Sequence, residues 1–124
     1  MVEATRGYRE LIVWQKAMDL VPMVYRLTKC FPDDERFGLS SQIRRAAVSI
    51  PANIAEGQAR QHTAEFAQAL AIARGSLAEL DTLLLTAVRL SYLRAGDLQS
   101  ATSLMIEIRR ILQRFIQSLR VKRR

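Results

Sequence analysis

The sequence predicts an all-α protein: an antiparallel, up-and-down four-helix bundle forming one domain over residues 1–124. Three observations point there. Apolar residues recur every three or four positions through four separate stretches, the signature of one buried face per helix. The stretches are joined by short turn-forming runs, which suit helix–helix connections in a bundle. Five glycines and three prolines leave few breaks, and no alternating strand pattern of useful length occurs. At 124 residues the chain is long enough for one compact core and too short for two ordinary domains.

The first helix is expected over about 11–31. Trp14, Ala17, Val21, Val24, Thr28 and Phe31 trace its stripe, widened by Met18, Leu20, Tyr25 and Leu27. Gln15, Lys16, Asp19, Arg26 and Lys29 take the outer side, and Pro22 must be accommodated inside. Pro32-Asp33-Asp34-Glu35 then stops the helix and opens a turn.

The second helix, about 39–57, places Leu39, Ile43, Ala46, Ala47, Ile50 and Ile54 on one face and Arg44 and Arg45 on the other. Pro51 removes a backbone donor in its interior, so a kink or local break is expected. Gln42, Ser49, Asn53 and Glu56 flank the apolar stripe. Asn53 and Glu56 are candidates to bond the groups that Pro51 frees, or to pair with a neighbouring basic side chain.

Thr63 is the expected N-cap of the third helix, about 64–93. Phe66, Leu70, Ala73, Leu77, Leu80, Leu84 and Ala87 form its stripe at coiled-coil spacing, with Ala69, Ile72, Leu83, Leu85 and Val88 to the sides. Around Leu83-Leu84-Leu85 it is apolar over most of its circumference, more than one bundle contact needs, which suggests a contact with another subunit. Gly75 costs about 1 kcal/mol relative to alanine, and a helix pressed against it would explain its presence. Gly96 is expected as the left-handed cap ending this helix and Asp97 as the N-cap of the next. The fourth helix, about 97–120, carries Leu98, Ala101, Met105, Ile108, Leu112, Phe115 and Leu119 at a near seven-residue repeat, with Arg109, Arg110, Arg114 and Arg120 away from that seam. A basic tail, residues 121–124, follows.

The formal net charge is +7 and is unevenly placed: residues 1–36 and 63–96 balance, whereas 37–62 carry +2 and 97–124 carry +5. Such clustering favours a polyanion-binding surface over a merely solvated one. Arg44, Arg45, Arg60, Arg109, Arg110, Arg114, Arg120, Lys122, Arg123 and Arg124 are therefore the candidate nucleic-acid-binding residues, able to build one basic surface if helices two and four lie side by side. Arginine suits phosphate because its planar fork donates two bonds at once. The competing reading is a set of solvated faces with pairs such as Glu107 to Arg110 or Arg114. Nothing resembles a recognition helix or a stacking platform.

Enzymatic chemistry finds little support. One histidine, His62, and one cysteine, Cys30, cannot build a metal site of the usual kind, and His62 lacks a glutamate three residues before it. No phosphate-binding glycine loop occurs. Neither an enzyme nor a cofactor or metal is expected. Cys30 should be a buried or half-buried thiol, and it excludes a disulfide within the chain. The N-terminus lacks a signal-peptide core, and no apolar run approaches the roughly 20 residues a membrane span needs. A cytoplasmic protein with no membrane partner is the expectation.

Several runs resemble a known family. They are Leu11-Ile12-Val13-Trp14-Gln15-Lys16-Ala17, Tyr25-Arg26-Leu27-Thr28 before Phe31-Pro32, Gln42 through Pro51 with Asn53-Ile54-Ala55-Glu56-Gly57, and Ala73 through Leu80. Together, over roughly residues 8–115, the chain resembles the small four-helix-bundle proteins encoded in intervening sequences of bacterial 23S rRNA genes. That resemblance implies a homopentamer with a basic surface. It also implies kinship with the accessory variability proteins of diversity-generating retroelements, which associate with a reverse transcriptase and with nucleic acid. It names no contacting residues. Two functions remain open from sequence: a non-catalytic oligomer binding nucleic acid, RNA rather than DNA, or a scaffold docking a partner protein such as a reverse transcriptase. An enzymatic third would need a Cys30-centred site.

Overall fold

The computed structural model describes residues 7–123, the side chains of 122 and 123 excepted. It is all-helical, and among the described residues there are no strands. After a 3-10 turn at Gly7–Glu10 come α1 (Ile12–Thr28), α2 (Leu39–Ala59), α3 (Thr63–Arg89) and α4 (Gln99–Arg123), with further 3-10 turns at Asp33–Glu35 and Ala95–Leu98. The α2–α3 contact is the most extensive, followed by α3–α4, α1–α2 and α1–α4. Each helix thus packs on the next and the fourth closes on the first. Helices α2 and α4 share no extended contact and face each other across the core.

The stripes of α2 and α3 are buried as the periodicity predicts. Leu39, Ile43, Ala46, Ala47, Ile50 and Ile54 meet Leu70, Ala73, Leu77, Leu80, Leu84 and Ala87 in one continuous core, with Phe66 at its margin. Each fully buried leucine or isoleucine contributes about 1.5–3 kcal/mol relative to exposure. In α1 the buried line is Val13, Ala17, Leu20, Val24 and Thr28, rotated from the expected stripe, so that Trp14 and Val21 are only half-buried. In α4 Ile116 replaces Phe115 as the last buried position. A 3.6-residue helix drifts about 20° per heptad against a strict repeat of seven, and by the fourth turn that drift brings the next residue inward.

The helix ends differ from expectation for identifiable reasons. Helix α1 stops at Thr28, and Phe31 turns inward to pack its ring 5.3 Å from that of Tyr92. Helix α3 ends at Arg89, short of Leu93. Ser91 takes a left-handed φ of 64°, its N–H bonds the Val88 carbonyl at 3.0 Å, and the Tyr92 N–H reaches back to Ala87 at 2.9 Å. These are the two bonds of a Schellman cap, made with serine instead of the expected Gly96. Gly96 lies in the Ala95–Leu98 turn, where Asp97 Oδ2 accepts the Arg94 N–H at 2.9 Å. Asp97 therefore caps that turn, and α4 begins later, at Gln99. Thr63 is the first residue of α3, preceded by His62 at the cap position without a side-chain cap.

Pro22 and Pro51 both sit inside uninterrupted helices, so the local break expected at Pro51 is absent. The Asn53 amide donates to the Ser49 carbonyl and the Ser49 hydroxyl to Ala46, each at 2.8 Å. Neither reaches the Ala47 carbonyl that Pro51 leaves without its helical donor. Cys30 is exposed, its thiol 3.4 Å from the Leu27 carbonyl and 3.6 Å from that of Tyr92, contrary to the expected burial. Gly75 is also exposed, with nothing within 4 Å of where a side chain would begin, so no helix of this chain presses against it.

A close approach does occur at Gly57. Only Arg60, Gln61 and His62 separate α2 from α3, and Gln61 reverses the chain with a φ of 62°. So short a link brings the end of α2 onto the start of α3, and Gly57 packs directly on Ala69 and Phe66.

Candidate nucleic-acid interface

A surface concavity of about 720 Å³ lies where the last turn of α1 meets the first two turns of α2. Its formation follows from the local sequence. Pro32-Asp33-Asp34-Glu35 folds into a 3-10 turn that returns the chain beside α1, and Glu35 Oε1 accepts the Leu39 N–H at 3.1 Å, satisfying a free donor at the start of α2. Tyr92 donates its hydroxyl to Glu35 Oε2 at 2.8 Å, fixing the carboxylate from the α3–α4 connection. Lys29 just past α1, Arg36 beside the turn, and Arg44 and Arg45 from α2 thereby converge on one groove, in which Asp33 is the single carboxylate among the described residues.

Arg44 is held firmly. Its Nε donates to Thr28 Oγ1 at 2.8 Å, and its guanidinium lies 4.6 Å over the ring of Tyr25. The Thr28 hydroxyl in turn donates to the Tyr25 carbonyl at 2.9 Å. With Nε engaged, the terminal nitrogens of Arg44 make no hydrogen bond among the described residues and remain as a pre-oriented donor fork. Lys29, Arg36, Arg44 and Arg45 have no ion pair with a described carboxylate, whereas Arg60 and Lys16 do. Phe37 stands at the groove's edge, 88% exposed, with the Arg36 guanidinium 5.4 Å from its ring centre.

The Glu35–Tyr92 bond ties this region to pH. The Leu39 N–H, followed by the Tyr92 hydroxyl, holds the Glu35 carboxyl below the usual carboxylate range. The same bond, with lesser help from burial, pushes the Tyr92 phenol up. A lowered carboxyl stabilises the fold above its unfolded value of about 4.3, and that contribution is lost as pH falls through its folded value. A raised phenol stabilises below about 10 and is lost as pH rises through its folded value. Tyr92→Phe is therefore expected to flatten the alkaline limb of a stability–pH profile and to shrink the acid limb, as read by urea denaturation across pH. An unchanged alkaline limb would show that the bond is not held in solution.

The sequence candidates are dispersed. Arg44 and Arg45 line the α1–α2 groove, but α2 and α4 do not adjoin, so the single surface that would unite them with the α4 arginines does not form. Arg60 binds Glu56 at 3.2 Å and Glu65 at 3.4 Å, which raises its pKa further and occupies it within the protein. Arg109 faces a smaller groove of about 410 Å³ between α3 and α4, with Arg74 and Asp81. Arg110, Arg114 and Arg120 are exposed along α4. Glu107 pairs with Lys16 of α1 at 2.8 Å, in place of the expected Arg110 or Arg114. The side chains of Lys122, Arg123 and Arg124 lie outside the described residues.

Sequence reasoning missed Tyr25, Lys29, Arg36 and Phe37. A usable signal existed in Arg36-Phe37, a cation and a ring left between a turn and Gly38 with no place on any apolar stripe.

Among the described residues no buried side-chain nitrogen or oxygen lacks a partner, and no three metal-ligating side chains cluster. No described helix is long and apolar enough to cross a membrane. What the fold offers is an all-helical bundle with a positively charged, aromatic-edged groove at its surface. The chain belongs to the family of 23S rRNA-intervening sequence proteins, whose family model matches residues 9–114. That span ends before Arg120 and the basic tail. No curated protein matches the chain.

Proposed function

We propose that this protein is a non-catalytic, basic homo-oligomer that binds nucleic acid, RNA in preference to DNA, and works in the cytoplasm. The convergence of Lys29, Arg36, Arg44 and Arg45 against one carboxylate carries the reading. Four cations round a groove that holds one carboxylate repel one another, and a polyanion relieves that repulsion while releasing its own counterions. The α4 arginines form a second, separate basic surface. In this reading the bundle is antiparallel, up and down, and five copies assemble as the family resemblance implies. A salt-series titration with structured RNA and duplex DNA tests it: binding that weakens steeply with salt, and more tightly for RNA, is expected. Absence of binding at moderate salt would defeat it.

Oligomer formation has its own support on α3. Its outer side carries Ala71, Gly75, Ala78, Thr82 and Leu85, mostly small residues at helical spacing that would let another helix approach closely. Leu85 on this side is 51% exposed; Ile72, equally exposed, lies on another side of the helix, toward α2. Leu85→Arg is expected to lower the mass measured by light scattering while leaving the helical content of the protomer intact. A mass unaffected by this change would move the subunit contact off this face. The same exposed apolar side chains favour, as a second reading, a scaffold that docks a partner protein such as a reverse transcriptase, in keeping with the retroelement kinship.

A further inference from the structure

Phe37 is hard to explain by folding. A phenylalanine left 88% exposed contributes little to the core, and among the described residues it has only the Arg36 guanidinium, 5.4 Å from its ring centre, as an aromatic-face partner. It nevertheless stands where the groove's cations gather, and it also borders a second depression that shares Arg45. We infer that this groove takes a single-stranded segment, with an unpaired base stacked on the Phe37 ring and the flanking phosphates on Arg44, Arg45 and Lys29. The inference rests on the nucleic-acid reading above and narrows it to unpaired nucleotides.

The physical argument turns on what each form of nucleic acid can present. In a duplex the base faces are consumed by stacking on their neighbours, and only edges and phosphates reach a protein surface. An exposed ring gains little from such a surface. An unpaired base has a free face, and every base can use it, so the ring gives affinity without sequence preference. Arg36 over the other side of Phe37 completes a cation–ring–base stack. Arg44 and Tyr25 supply the complementary half: the ring fixes the guanidinium, and the fork left free by the Thr28 bond points its donors at phosphate instead of at the protein.

Phosphate attraction and base stacking separate experimentally. The probes are an RNA strand of about ten nucleotides, within the site sizes such grooves occupy, the same strand in a duplex, and an abasic strand of equal length and charge. Wild type is expected to bind the ordinary strand more tightly than the other two. Phe37→Ala should weaken binding of the ordinary strand on the order of ten- to a hundredfold, the usual range for a stacked base, and leave the abasic strand unaffected. Because Phe37 is so exposed, the variant should fold normally. Phe37→Trp should show indole quenching with the ordinary strand and none with the abasic one. Equal binding of ordinary and abasic strands, with Phe37→Ala silent, would overturn the stacking inference while leaving nucleic-acid binding intact. A Phe37→Ala variant that loses oligomeric mass while keeping its affinity would instead make the ring a contact between copies or with a partner protein. If wild type binds none of the probes, the broader reading fails as well.

Discussion

Gly57→Ala should destabilise the fold by about 1–3 kcal/mol, the usual penalty for overpacking a tight interior, even though alanine is the better helix former by about 1 kcal/mol. The added methyl group would fall on the Ala69 methyl inside any real contact distance, and 3.2 Å from the Phe66 ring. The Ala69 methyl is fixed to the backbone and cannot rotate away, so relief requires α2 and α3 to part where their link is only three residues long. Gly57→Leu should abolish folding. Ala69→Gly introduced beside Gly57→Ala should recover part of the loss, because it removes the nearer obstruction and leaves the Phe66 contact. Urea denaturation of Gly57→Ala, Ala69→Gly and the double variant beside wild type measures this coupling directly. A Gly57→Ala protein as stable as wild type would mean that the two helices do not approach this closely.

The second large effect concerns affinity. Replacing Lys29, Arg36, Arg44 and Arg45 with alanine removes the groove's cations and no large core side chain. Binding of single-stranded RNA should then lose most of its strength, and the dependence of log K on log salt should become shallower by up to about 3, near 0.7 for each lost phosphate contact. Alanine at Arg109, Arg110 and Arg114 on α4 serves as the comparison. A smaller change there places the main contact in the α1–α2 groove; a larger one transfers it to α4. Equal loss from both sets would indicate a strand that follows each surface in turn. Arg44→Lys is informative by itself: it keeps the charge but gives up the Thr28-anchored fork, so the salt slope should hold while affinity falls.

Periodicity made the core of α2 and α3 legible because both helices bury a broad stripe, and a stripe of six or seven residues survives a small error in phase. In α1 and α4 most of the expected stripe is buried as well, but single positions shift to a neighbour, Trp14 to Val13, Val21 to Leu20 and Phe115 to Ile116. Ends were harder. Gly96 has the look of a helix terminator, yet Ser91 accepts the left-handed conformation four residues after Ala87, and serine carries no such signal in sequence. At the surface, Arg44 and Arg45 were legible as a basic pair. Lys29, Arg36, Tyr25 and Phe37 were not, since they come in pairs from the end of α1 and the turn before α2, and the groove exists only once α1 packs on α2. The supposition that α2 and α4 adjoin failed for the same reason: charge clustering along a chain says nothing about which helices become neighbours.

The bond between Tyr92 and Glu35 joins two connections that are 57 residues apart in the chain. The Ser91 cap aims Tyr92, Tyr92 steadies Glu35, and Glu35 closes the first turn of α2. The 90–94 segment and the 33–38 segment are therefore tied by a hydrogen bond, and their openings are expected to be coupled. A fluctuation that releases the end of α3 should also loosen Glu35 on the Leu39 amide and, with it, the seat of Arg36 and Phe37. Through this linkage, whatever steadies the α3–α4 connection also lowers the entropy that a bound strand must overcome in ordering the groove.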